Sequence, residues 1–167
     1  MKRIIIFFVL FFAVMYMLFM DKRGDTLDDT IKEQVAIENP LISKVLKVAI
    51  NYKGVPYKFG GTTNEGMDCS GLVFTSFKAI DMALARSSKN MYYEGVEVDL
   101  KDVKRGDLLF FDTNKFESQV NHVGLVTSVN DFEVNFIHSV DNKGVIITSI
   151  NESHWKKAFI KAKRILK

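Results

Sequence analysis

Midway along the chain the spacing of apolar residues switches from a helical repeat to a strand repeat, and that order limits the architectures open to it. Leu41, Ile42, Val45, Leu46, Val48, Ala49 and Tyr52 recur at helical spacing, with Gly54 and Pro56 as the stop. Leu72, Val73, Phe74, Phe77, Ile80, Ala83 and Leu84 repeat in the same way, which predicts a second helix starting at Cys69. Between them, Gly60-Gly61-Thr62-Thr63-Asn64-Glu65-Gly66 is too rich in glycine and small polar residues for regular structure and reads as a loop. Downstream, 107–111, 122–126, 134–138 and 144–148 read as strands separated by turn signals such as Asp141-Asn142-Lys143-Gly144. The tail, 153–167, reads as a short turn and a last strand. Helices first and hairpin-linked strands afterwards predict an α+β domain whose N-terminal helices pack on an antiparallel sheet.

That domain is expected over 41–167, a length that supports one hydrophobic core. Ahead of it, 21–40 is rich in charge and threonine and reads as a polar tether ending at Pro40. Residues 1–20 open with Met1-Lys2-Arg3 and continue as an uninterrupted apolar run, 4–20, before charge resumes at Asp21-Lys22-Arg23. A basic head and an apolar stretch form the pattern of an export signal, but Phe19 and Met20 are poor cleavage-site residues. The run is at the lower limit for a spanning helix, so a cleaved signal and an uncleaved membrane anchor both remain open, with the domain outside the cytoplasm in either case. A lipid-carrying cysteine at the end of the run is absent.

Without residues 1–20 the chain carries 21 basic and 20 acidic side chains, which leaves no electrostatic case for nucleic acid. The single cysteine, Cys69, cannot form an internal disulfide, and an unpaired thiol in an oxidising compartment is a liability unless its reactivity is used. A cysteine at a helix start meets free backbone N–H groups and the positive end of the helix dipole, both of which are expected to favour thiolate. His122 begins one predicted strand and His138 ends the next, so both can project from one sheet face. If the Cys69 helix packs on that face, the three groups converge as nucleophile, base and orienting residue. Spacing does not say which histidine is the base. One cysteine and two separated histidines lack the close ligand pairing of zinc sites, so no metal is expected. His154 is read as an ordinary surface or core group.

Five pieces in this order resemble the NlpC-type (NlpC/P60) cell-wall peptidases, a family with a reduced papain-like fold. They are Gly54-Val55-Pro56-Tyr57-Lys58-Phe59-Gly60-Gly61, Asp68-Cys69-Ser70-Gly71-Leu72, Arg105-Gly106-Asp107-Leu108-Leu109-Phe110-Phe111, His122-Val123-Gly124-Leu125-Val126 and Phe136-Ile137-His138-Ser139. Weaker matches lie at Arg86-Ser87-Ser88 and at Trp155 and Arg164. The resemblance implies Cys69 as nucleophile, His122 as general base and then acid, His138 as the orienting residue, and Tyr57 as an oxyanion donor. It also implies that Asp68 and Ser70 flank the amino end of the substrate, although both are equally good helix caps. Arg86 and Ser87 are candidates for the groove wall, against a purely structural loop.

The function implied by the resemblance is a cysteine endopeptidase acting on peptidoglycan stem peptides, at the γ-D-glutamyl bond to diaminopimelate or lysine, with no cofactor. An N-acetylmuramoyl amidase, an acyl transferase, or a non-catalytic membrane-tethered wall-binding module are the alternatives. No wall-binding repeat is evident, so targeting is expected from the membrane, through the apolar segment, or from a cell-envelope protein partner.

Overall fold

Asn39 caps the first helix by accepting a hydrogen bond from Leu41 N–H, and Pro40 behind it has the φ that a first helical turn needs. The computed structural model describes residues 39–114 and 119–166. The apolar run 4–20 and the tether up to residue 38 lie outside the described residues. Among the described residues no helix is long and apolar enough to cross a membrane.

The first helix, α1, spans Pro40–Asn51 and buries Val45, Leu46 and Ala49. Two short strands, β1 (Thr62–Thr63) and β2 (Gly66–Met67), form a small hairpin within the glycine-rich segment expected to be irregular. Helix α2 covers Cys69–Lys78 and is shorter than the apolar repeat suggested. It ends because the chain turns at Ala79 and passes through Asp81, whose φ of 58° no helix accommodates. Leu84 is nonetheless buried, so the apolar pattern there reports a packed loop.

After the one-turn α3 (Ser88–Met91) come β3 (Val96–Val98), β4 (Leu108–Phe111), β5 (His122–Asn130), β6 (Glu133–Val140) and β7 (Gly144–Ser149). A short helix, α4 (Ser153–Ala158), then leads into β8 (Phe159–Arg164). The sheet has six strands in the order β3-β8-β4-β5-β6-β7, and every neighbouring pair is antiparallel. The tail strand is therefore internal, and Arg164 clamps it to β4 with bonds of 2.8 and 2.7 Å to the buried Asp107 carboxylate.

Alternation along the strands sorts the side chains into two cores. Leu108, Phe110, Val123, Leu125, Ile137 and Val145 face α1 and α2. Leu109, Phe111, Val126, Phe136 and Ala162 face the other way, toward Trp155 and Ala158. This explains the unbroken Leu108-Leu109-Phe110-Phe111 run, a strand buried on both faces. Each fully buried Leu or Phe of this kind contributes about 1.5–3 kcal/mol.

Candidate active site

The approach of the glycine loop to α2 sets the position of Cys69. Asp68 caps the helix by accepting from Gly71 N–H at 2.6 Å, and its other oxygen accepts from Gly60 N–H at 2.8 Å. The Arg86 guanidinium donates to both carboxylate oxygens, at 2.9 and 3.0 Å, and also to the Ser70 hydroxyl and the Gly61 carbonyl. The loop lies so close that a side chain on Gly71 would collide with the Gly61 carbonyl. Burial works against the Asp68 charge, but the Arg86 guanidinium and the Gly71 and Gly60 N–H groups hold its carboxyl below the usual range.

Cys69 is the first residue of α2 and is buried. Burial pushes its thiol up to about 11, against backbone hydrogen bonds from Val123, Ser70 and Cys69 itself, and the Asp68 charge raises it further. The expected helix-start stabilisation of thiolate is present in those N–H groups, but desolvation outweighs it. His122 and His138 do share one sheet face, the one carrying Phe111, Phe136 and Trp155. Helix α2 packs on the opposite face, with Leu72, Val73 and Phe77 among Val123, Leu125 and Ile137. Only its first residue reaches the histidine side, past the start of β5.

The two imidazoles form a directed chain. His122 Nε2 lies 2.9 Å from His138 Nδ1, and His138 Nε2 lies 2.9 Å from the Thr148 hydroxyl on β7. When Thr148 accepts from His138 Nε2–H, His138 Nδ1 is bare and accepts from His122 Nε2–H, which leaves the His122 Nδ1 lone pair as the base. Trp155 closes the other side, with its ring centroid 5.2 Å from that of His122 and 4.6 Å from that of His138. Burial lowers His122 to about 4, helped by the His154 charge, and burial followed by the His122, His154 and Lys143 charges lowers His138 to about 2. Both rings are neutral at neutral pH, beside a protonated thiol.

A cleft of about 850 Å³ opens over this group, lined by Tyr57, Cys69 and His122 together with Asn121, Thr148 and Trp155. Asp141, Lys143, Glu152 and His154 give its exposed rim both signs of charge. The Tyr57 hydroxyl donates to Asp141, and its pKa is raised by burial and then by the Asp141, Cys69 and Asp68 charges. Of the residues singled out in the sequence, Tyr57, Cys69, His122 and His138 are brought together. Asp68, Ser70 and Arg86 instead form the network beneath the helix start. Ser87 caps α3 by accepting from Asn90 N–H. None of these four lines the cleft. The sequence reading missed Thr148, Asp141 and the aromatic cover of Trp155; the diagonal between His138 and Thr148 depends on the β6–β7 register, which the spacing of residues alone does not give. Among the described residues no group of His, Cys, Asp and Glu is placed to hold a metal.

An α+β domain in which a cysteine at a helix start shares a cleft with a histidine on the neighbouring sheet is a papain-like arrangement. The model of the NlpC/P60 family matches residues 54–164, and the chain belongs to that family. It is 35% identical over 125 residues to the murein DD-endopeptidase MepS/murein LD-carboxypeptidase of Escherichia coli K12, an alignment covering 74% of this chain and 63% of that protein. It is also 35% identical over 116 residues to the probable endopeptidase NlpC of the same organism, covering 69% and 72%. The crystal structure of an NlpC/P60 family protein from Bacillus cereus superposes with a TM-score of 0.69 at 30% identity, over 78% of this chain and 42% of that one.

Proposed function

We propose that this protein is an exported, envelope-associated peptidoglycan hydrolase, a cysteine endopeptidase that cleaves an amide in cell-wall stem peptides. The observation that carries the reading is the Thr148–His138–His122 chain ending at the cleft that holds Cys69. The chain spans less than two thirds of the length of the MepS relative, and the substrate proposed for it rests on the site as well as on that likeness.

The resting state is a thiol and a neutral imidazole, so proton transfer accompanies attack. The Cys69 sulfur bonds to the carbonyl carbon as its proton passes to His122 Nδ1. The oxyanion is met by the N–H groups at the start of α2 and by the Tyr57 hydroxyl once it leaves Asp141. Collapse breaks the C–N bond, and the proton on His122 goes to the departing amine. Water then gives a proton to His122 and its oxygen to the thioester, releasing the acid and restoring the thiol. His138 holds the tautomer throughout, and Trp155 keeps water off the histidine pair. No step calls for a metal or an organic cofactor.

The bond proposed is γ-D-glutamyl to diaminopimelate or lysine. The DD-endopeptidase activity for which the MepS relative is named makes a D,D bond the second reading. Digestion of purified muropeptides with the full chain, followed by mass spectrometry, separates them: a free diaminopimelyl or lysyl amine on a two-residue loss supports the first, and cross-link opening alone supports the second. Intact muropeptides after prolonged incubation would overturn both. An intact stem with its sugar removed would instead mark an amidase.

A further inference from the structure

Among the described residues, the edge of the sheet that borders the cleft leaves both outward main-chain groups of one residue, Ile147, without a main-chain partner. β7 is an outermost strand, and its register with β6 runs without a shift from Gly144 to Ser149. In an antiparallel pair, alternate residues turn both main-chain groups toward the partner strand and the others turn both away. Val145 marks the outward set: its N–H donates to the Val55 carbonyl at 2.9 Å and its carbonyl accepts from Gly54 N–H at 2.9 Å. Ile150 marks the inward set, its N–H donating to the Val134 carbonyl of β6 at 2.9 Å. Ile147 thus directs its N–H and its carbonyl outward. The next outward carbonyl, of Ser149, accepts from Glu152 N–H at 3.2 Å. The protein's own chain engages both groups of Val145 on one side of Ile147 and the Ser149 carbonyl on the other, while among the described residues the Ile147 pair has no main-chain partner. Ile147 is 38% exposed and lines the cleft with Cys69.

Given the stem-peptide reading above, on which this inference rests, we propose that the Ile147 main chain docks one residue of the substrate's own main chain, which adds to β7 as a single β-bridge of two hydrogen bonds. Strand addition gives affinity through main-chain groups that any peptide carries. One step along, the same edge already makes two main-chain hydrogen bonds with an irregular segment, Gly54-Val55. A γ-linked peptide containing D residues cannot run as a continuous strand, and one bridge asks for only one residue in extended form. The chain already paired at Val145 and at the Ser149 carbonyl leaves no room for a longer regular strand, which selects against ordinary protein segments. The rim, with Asp141 and Glu152 against Lys143, suits a peptide carrying both free carboxylates and a free amine.

The test is Ile147→Pro in the full chain. Proline removes the outward N–H and fixes φ without taking a bond from the ladder, since an outward position of an edge strand contributes nothing to the pairing with its neighbour. Ile147→Ala keeps the N–H and removes the side chain. Loss of one hydrogen bond predicts that the proline variant raises KM for a γ-D-glutamyl-diaminopimelyl stem peptide by about three- to tenfold, with kcat and the rate of Cys69 alkylation retained. The alanine variant is expected to change KM less. A proline variant with the wild-type KM, beside active wild type, overturns the docking proposal alone. Wild type that cleaves no stem peptide overturns the functional reading and this proposal with it. If the proline variant does not fold, the Ile147 amide of Cys69→Ala decides: saturating stem peptide is expected to slow its exchange with solvent at least about tenfold, as a new hydrogen bond requires, and unchanged exchange overturns the proposal.

Discussion

Thr148→Val tests whether the histidine pair is held in one tautomer from outside. The substitution is nearly isosteric at a buried position, and it deletes the hydroxyl that lies 2.9 Å from His138 Nε2. In the productive state that nitrogen carries a proton, and with valine the N–H has no acceptor. Leaving a buried donor unmet costs about 1–3 kcal/mol. His138 escapes the cost by moving its proton to Nδ1, where it donates to His122 Nε2 and places the His122 proton on Nδ1. In that state His122 has no lone pair toward the cleft and cannot accept the thiol proton. The fraction of base-competent protein then falls, and kcat with it, by about five- to hundredfold at 1.4 kcal/mol per factor of ten. KM is expected to stay near the wild-type value, because Thr148 supports the base and not the docking of substrate. Steady-state hydrolysis of a stem peptide measures both, and nitrogen-15 spectra of the imidazoles report the tautomer directly. Thr148→Ser is expected to recover most of the loss. Full kcat in Thr148→Val, with the same tautomer as wild type, would refute the reasoning.

Three further expectations follow from the same geometry. With the thiol near 11, alkylation of Cys69 by iodoacetamide should rise about tenfold per pH unit from pH 6 to 9; a plateau across that range would indicate a preformed thiolate–imidazolium pair. The depressed histidines leave the folded state binding fewer protons than the unfolded chain below pH 6.5. Stability should therefore be full above that pH and fall toward pH 4 by up to about 1.4 kcal/mol per unit for each imidazole. Urea unfolding at stepped pH checks the slope, and His138→Gln should reduce it; an identical slope would contradict the assignment. Arg86→Met leaves the Asp68 carboxylate without its bidentate partner and should cost about 2 kcal/mol, less than a fully buried pair because the Arg86 side chain is 38% exposed. Unchanged thermal stability would show that the network under α2 is dispensable.

The parts of the site legible in the sequence are those written as local motifs. Cys69 at a helix start could be read because the glycine loop, the Asp68 cap and the apolar repeat of α2 are contiguous in the chain. Strands β4 to β7 were legible from their apolar runs and turn residues, whereas the short β1, β2 and β3 carry no such signal. The placement of β8 between β3 and β4 was not legible, because it is a long-range pairing held by Arg164 on Asp107. The charge state of Cys69 was not legible either. Local sequence shows the N–H groups that favour thiolate, whereas the desolvation that outweighs them comes from remote parts of the fold. The same burial tempers the expected oxidation sensitivity of the lone cysteine, since a thiol held near 11 offers little thiolate to an oxidant. Asp68 and Arg86 illustrate a further limit: the resemblance implied substrate contact for Asp68 and a groove position for Arg86, whereas here their polar atoms are directed at each other and at the glycine loop.

The central claim is that Cys69 attacks a stem-peptide carbonyl with His122 as its base. Its most direct test compares wild type with Cys69→Ala, a substitution the buried site tolerates sterically, on one purified muropeptide with products identified by mass. The account predicts a single new amine and its matching acid from wild type and no product from Cys69→Ala above the uncatalysed rate. Equal product from the two proteins would contradict it.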